Sequence, residues 1–198
     1  MAFISASDER LDPAHVYLLG EQMVRGAMRV RLVDDLDPFA LLRGEIHVSE
    51  PVALEQFMGG KPRDILGSGH AALFLVSDKF VEVLQEQQFT GWRTYSVVVH
   101  ATDKRRVGGY HGFAVTGRCG QVRQSEPIIL PPRSEKGRAV PGRRGLYFDP
   151  ASWDGSDIFA PPTTGHVFVL ERVRDAIKRA RLTNVTFDRV TEVEDIAI

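Results

Sequence analysis

The chain has 198 residues, 43% hydrophobic and 26% charged, with 25 Lys and Arg against 26 Asp and Glu, a net charge of −1. That balance is near the globular average, which excludes collagen-like and disordered classes. The longest apolar run, Ala71–Val76, falls far short of the ~20 residues a membrane span requires. Residues 1–10 have neither a basic start nor a sustained apolar stretch, so no secretory leader is expected there. Cys119 is the single cysteine, which rules out an internal disulfide and a Cys-based zinc cage and fits a reduced, cytoplasmic location.

In chain order, His15–Leu19 and Met23–Val33 read as strands, and Asp34-Asp35-Leu36-Asp37-Pro38 reads as a turn or helix start. Gly59-Gly60-Lys61-Pro62 and Gly67-Ser68-Gly69 read as loops, which leaves residues 1–70 the hardest part to interpret. Ala71–Val76 is a buried-strand candidate and Ser77 a helix N-cap. Phe80, Val81, Val83 and Leu84 then share one side of a helix running to about Gln88, closed by Phe89-Thr90-Gly91 with Gly91 left-handed. Trp92–His100 is β-rich, with Tyr95, Val97 and Val99 on one face.

The same grammar returns near the C-terminus. His166–Leu170 is a strand, Val173, Ala176, Ile177 and Ala180 form a helical stripe, Leu182-Thr183-Asn184 closes it, and Val185–Val190 is the next strand. A shift of 93 residues pairs Phe80 with Val173, Leu84 with Ile177, Thr90 with Thr183 and Gly91 with Asn184. Between the two units lies Ala101–Gly165, rich in Arg, Gly and Pro. Its strand-like runs are Tyr110–Thr116 and Leu146–Asp149, its Pro-rich passage is Pro127–Pro141, and Asp149-Pro150 marks a helix start. The expected fold is therefore α+β, a mixed α/β single domain over 1–198 with two similar strand–helix–strand halves and an irregular insertion at 101–165.

The charge is uneven. Residues 1–99 carry 9 basic and 14 acidic side chains (−5), and residues 100–198 carry 16 and 12 (+4). Lys104–Arg144 alone holds ten basic residues and two acidic ones, a pattern suited to a solvated loop, an acidic partner or a nucleic acid. The pI near 6.6 and the absence of an RNA-binding aromatic signature or helix-turn-helix pattern disfavour nucleic acid.

Catalytic signatures are sparse. Gly67-Ser68-Gly69-His70 lacks the ending of a phosphate-binding loop, and the six histidines make no helical i, i+4 pair, so neither metal nor cofactor is expected. Arg118 beside Cys119 could lower a thiol pKa, although an incidental cysteine is the simpler reading. Trp153, Asp154 and Asp157 form the densest polar–aromatic segment. With a distant His111 they could serve acid–base chemistry in a cleft; alternatively, the Asp side chains cap backbone groups while Trp153 plugs the core. The Arg-rich helix Glu171–Arg181 places acids early and bases late, which suits the helix dipole.

Several strings together resemble the immunity-protein-eleven family, abundant in myxobacteria and associated with polymorphic toxin loci. They are Gly109-Tyr110-His111-Gly112-Phe113, Gly117-Arg118-Cys119-Gly120, Gly145-Leu146-Tyr147-Phe148-Asp149 and Trp153-Asp154-Gly155-Ser156-Asp157. The likeness extends over about 71–194. It implies a small cytoplasmic, non-catalytic protein that binds a cognate protein toxin and blocks it, with no membrane or cofactor. Aromatic and Arg anchors dominate such interfaces, so Tyr110, His111, Arg143, Arg144 and Tyr147 are the expected partner-binding residues.

Overall fold

Asp-Pro steps open three short helical turns, because the Asp side chain accepts a free backbone N–H while Pro presets φ and has no N–H to lose. Asp12 caps the 3-10 turn Pro13–His15, Asp37 caps α1 (Pro38–Leu42) through Phe39 N–H at 2.9 Å, and Asp149 caps the 3-10 turn Pro150–Ser152 through Ala151 N–H at 3.0 Å. The computed structural model describes residues 11–131 and 139–196. Residues 1–10, where no leader is expected, and part of the Pro-rich passage lie outside them.

The strands before the second helix are β1 (Val16–Glu21), β2 (Arg29–Leu32), β3 (Val52–Met58), β4 (Ile65–Ser68) and β5 (Phe74–Ser77). After α2 (Asp78–Glu86) come β6 (Trp92–Tyr95), β7 (Val97–His100), β8 (Arg106–Val107), β9 (Tyr110–Val115) and β10 (Gly117–Arg118). Then follow β11 (Arg123–Leu130), β12 (Val140–Tyr147), β13 (Ile158–Ala160), β14 (Val167–Leu170), α3 (Glu171–Arg179), β15 (Val185–Arg189) and β16 (Glu194–Ile196). At 17% helix and 41% strand this is a single mostly-sheet domain, which corrects the expectation of an α+β body divided into two strand–helix–strand halves. The region 101–165 is not irregular: it supplies β8 to β13. β9 and β10 pair with strands tens of residues away, whereas β8 and the β11–β12 ribbon form hairpins whose Gly, Pro and Arg residues interrupt any alternating pattern. Gly67-Ser68 likewise lies in buried β4 rather than a loop, and only Arg29–Leu32 of the run at 23–33 is a strand.

The largest sheet has the order β6-β9-β5-β4-β2-β3-β7-β8. Only Ser96 separates β6 from β7, yet β6 pairs with β9 and β7 with β3. One continuous segment is thus bonded to β9 along its first half and to β3 along its second, which closes β9-β5-β4-β2-β3 into a barrel with β8 added beyond β7. Met28, Val30, Leu54, Leu66, Leu75 and Val99 fill the interior with Tyr95 and Val97, as small barrels require. Burial drives the Tyr95 phenol well above the ordinary tyrosine range.

The outer face of β4, β5 and β9 presents Ile65, Phe74, Val76, Phe113 and Val115. They pack with Phe80 and Leu84 of α2, Val173 and Ile177 of α3, and one face of a second sheet, ordered β10-β13-β14-β1-β15. The other face of that sheet buries Val16, Phe159 and Phe168 against Leu146, Phe148 and Cys119. A third sheet, β11-β12-β16, is the ribbon that contributes Leu146. Residues 11–70 therefore belong to the shared core.

Ser77 caps α2 as expected, accepting from Phe80 N–H at 3.2 Å. The left-handed residue closing that helix is Gln88 (φ 53°) rather than Gly91, and Arg181 (φ 54°) plays the same part after α3. Gly91 (φ 86°) is required for another reason: a Cβ there would overlap the carbonyl oxygen of Ile158.

That close approach belongs to a reciprocal seam. Asp157 accepts the N–H and hydroxyl of Thr90 at 2.9 and 3.1 Å and pairs with the Arg172 guanidinium. Asp64 accepts the N–H and hydroxyl of Thr183, both at 2.7 Å, and the hydroxyl of Ser77 at 2.9 Å. Burial opposes the charge on Asp64, but the Thr183 and Ser77 donors and nearby Lys79 outweigh it and hold the carboxyl below the usual range. Asp157→Ala removes a buried acceptor shared by the Thr90 donors and the Arg172 guanidinium, so it is expected to destabilise the fold by about 1–3 kcal/mol in urea unfolding. A depressed folded-state pKa means that the charge on Asp64 stabilises above the unfolded value of about 3.9 and loses that effect as pH falls through the folded value. The stability gap between wild type and Asp64→Asn should accordingly be full near neutrality and close in acid, as denaturation at a series of pH values will test.

Candidate functional site

The segment after β12 resolves the two readings of its carboxylates. Asp154 accepts Arg118 N–H at 2.8 Å and Ser156 N–H at 3.0 Å, so one oxygen shapes its own turn and the other holds β10. Trp153 donates its indole N–H to Ser156 O at 2.9 Å and packs on Phe159 with ring centroids 6.0 Å apart. Asp157, only 1% exposed, is committed to Thr90 and Arg172. His111 sits elsewhere, its Nε2 2.7 Å from Oδ1 of Asp78 at the start of α2. Thr90, and hence Asp157, lies beyond the other end of that helix, whose nine residues span about 13 Å. The cleft that would have combined Asp154, Asp157 and His111 does not form.

Cys119 is buried, and its thiol is pushed up to about 12 by burial first and then by the negative Asp154. Adjacent Arg118 does not activate it. The Arg118 guanidinium donates instead to the carbonyls of Val115 (2.6 Å), Gly117 (3.0 Å) and Arg43 (2.6 Å), tying the end of α1 to β9 and β10. Gly120 N–H donates to Ser152 Oγ at 2.7 Å, so the strings at 117–120 and 152–157 are packed together.

Among the described residues, the basic block does not make one face. Lys104 to Arg106 lie at the β7–β8 end of the barrel, Arg118 on the second sheet, and Arg123, Arg143 and Arg144 on the ribbon. Helix α3 also uses its bases internally. Arg174 stacks on Tyr17 at 4.1 Å and pairs with Glu171 (2.8 Å) and Asp175 (2.7 Å), while Lys178 lies over Phe187 at 5.9 Å.

Of the expected partner-binding residues, Tyr110 and His111 lie on β9, and Arg143, Arg144 and Tyr147 lie on β12 of the ribbon, so they belong to different sheets. Tyr110 donates to Arg63 O at 2.9 Å; its phenol is pushed up to about 12 by burial, with the negative Asp64 and Asp78 adding to it. Arg144 pairs with Glu194 at 2.6 Å. Arg143 is exposed opposite Pro127, and half-buried Tyr147 sits opposite Arg123.

A cavity of about 460 Å3 opens where β1 meets β2 and β4, lined by Glu21, Arg29, Ser68, His70 and His166 over an apolar floor. Sequence reasoning missed it because its walls come from four distant segments with no shared spacing. Arg29 Nη2 donates to Ser68 O at 2.8 Å, its Nε stands 4.0 Å from Glu21, and the Ser68 hydroxyl donates to His70 O at 2.6 Å. The cavity thus holds a charged pair but no hydroxyl poised on a base. Among the described residues, no group of three or more His, Cys, Asp or Glu is placed to hold a metal ion, and no helix is long and apolar enough to cross a membrane.

No protein-family model matches the chain, and no curated protein matches it.

A thiol both buried and held protonated reacts slowly. Cys119 is expected to resist a disulfide reagent at pH 8 in the folded protein and to react with one equivalent in denaturant, with absorbance of the released thiolate as the measure. Full labelling of the folded protein would contradict the burial described here.

Proposed function

We propose that the chain is a non-catalytic, cytoplasmic immunity-type protein that binds a cognate protein toxin and neutralises it by covering part of its surface. One observation carries the reading: the side chains with catalytic potential in the strings at 117–120 and 153–157 are committed to scaffolding. Asp154 and Asp157 hold backbone and hydroxyl donors, Arg118 holds three carbonyls, and Cys119 is buried. Arg143 remains exposed and Tyr147 half-exposed on the ribbon, the residue types that anchor protein interfaces. The likeness to the immunity-protein-eleven family points the same way, and the spatial packing of two of its strings gives them a structural reason. Tyr110, His111 and Arg144 are carried in the proposal as further partner-binding residues.

We also infer that β5–α2–β6 and β14–α3–β15 are copies of one strand–helix–strand module. The support is the series of positions 93 apart that do the same work: Asp64 and Asp157, Thr90 and Thr183, Lys79 and Arg172, and the left-handed pairs Gln88 with Arg181 and Gly91 with Asn184.

The test is growth rescue. The chain is co-expressed in a sensitive host with the toxin domain encoded beside its gene. Restored growth, together with a one-to-one complex on gel filtration, is the expected result. A host that dies equally with and without the chain, and no complex, would overturn the reading.

A further inference from the structure

The cavity where β1 meets β2 and β4 holds two opposite charges that are kept apart. Arg29 on β2 lies opposite Gly67 on the parallel strand β4. Its Nη2 is tied to Ser68 O at 2.8 Å, which fixes the guanidinium on the β4 side. Glu21 ends β1, and its carboxylate rests on Gly67, where any Cβ would overlap Oε1. Glycine inside a strand costs stability and marks a close approach; here the approach seats a carboxylate. A direct Arg–carboxylate bond closes to about 2.7–2.9 Å, yet the buried Arg29 Nε stands 4.0 Å from Glu21 Oε1 and has no hydrogen-bond partner among the described residues. Asn184 Nδ2 reaches the same oxygen at 3.5 Å, so the Glu21 carboxylate keeps most of its acceptor sites. Both side chains are largely withdrawn from water, Glu21 at 20% and Arg29 at 24% exposure.

Partly desolvated charges held short of contact favour a ligand that carries both signs. A simple anion would meet Glu21 and a simple cation would meet Arg29, and like charges at this range repel. A free α-amino acid satisfies both groups at once, because its ammonium nitrogen lies about 2.5 Å from its carboxylate carbon. The carboxylate takes the remaining N–H groups of the guanidinium, and the ammonium takes the open lone pairs of Glu21. Leu19, Leu66 and Phe74 form an apolar floor beneath the pair, which suits an apolar side chain. The volume, about 460 Å3, is in the range of small-molecule sites.

We propose that this cavity binds a free α-amino acid with an apolar side chain, its carboxylate on Arg29 and its ammonium on Glu21. None of the lining residues is among those proposed for toxin contact, so either reading can fail without the other.

The probe is L-leucine, titrated into the isotope-labelled full chain while backbone amide signals are followed by NMR. Saturable shifts at Glu21, Arg29, Gly69 and His70 are expected. Isoamylamine lacks the carboxylate and isocaproate lacks the ammonium, so each should bind about tenfold more weakly or worse. Arg29→Gln and Glu21→Gln should each produce a loss of the same size. Gly69→Phe tests the site without altering the charged pair: Gly69 lines the cavity, and a Cβ there meets nothing within 4 Å. That variant is expected to abolish the shifts at an unchanged melting temperature. No saturable shift with L-leucine would overturn the proposal. Equal affinity for isoamylamine or isocaproate, or wild-type affinity in Gly69→Phe, would overturn it as well.

Discussion

Two carboxylates hold this fold in register. Asp64 immediately precedes β4 and Asp157 immediately precedes β13, and each takes both donors of a threonine that follows the helix of the other unit. Backbone bonds run alongside: Ile158 N–H to Thr90 O at 3.1 Å, Ile65 N–H to Thr183 O at 3.4 Å, Ser77 N–H to Asp64 O at 2.8 Å and Leu170 N–H to Asp157 O at 3.0 Å. A buried carboxylate without such partners would be strongly unfavourable. Here the donors are backbone and short hydroxyl groups, which have almost no freedom to move away. The barrel, the two helices and the second sheet share one apolar layer, and apolar contact is non-directional. The paired locks supply the direction.

The barrel depends on a second constraint, the break at Ser96. A continuous strand over 92–100 would stay on one edge of an open sheet. Dividing it lets the first half pair with β9 and the second with β3, and a sheet closed in this way removes most of its exposed edges. β8 then pairs beyond β7, antiparallel to it. The interior is sealed by side chains rather than left as a ligand chamber, so the cavity with Glu21 and Arg29 opens outside the barrel, at its junction with β1.

The same economy of charge explains why the motif segments contain polar residues yet no reaction centre. A Gly-Arg-Cys-Gly string beside a Trp-Asp-Gly-Ser-Asp string looks reactive when read linearly. In three dimensions the arginine clamps carbonyls, the first aspartate closes a turn and the second crosses the seam. Arg123 and Arg143 lie outside this network, exposed on the ribbon, with Asp195 opposite Arg143 on β16.

How much of this was legible beforehand follows from the range of each interaction. Capping and turn chemistry act within four residues, so the sequence by itself determined the Asp-Pro starts at Asp37 and Asp149, the Ser77 cap and the buried stripes of α2 and α3. It also revealed the 93-residue echo, because equivalent packing needs equivalent spacing. Of the strands of 101–165, the run at Tyr110–Val115 was legible, but the β11–β12 hairpin and the closure of the barrel were decided only by tertiary structure: the closing partners of β9 lie tens of residues away, and Gly, Pro and Arg in the ribbon leave no alternating pattern. The carboxylates were ambiguous for the same reason. Asp157 is adjacent in sequence to Ser156 and Ile158, but its role is set by Thr90, 67 residues earlier, and only the folded seam brings that hydroxyl within 3.1 Å.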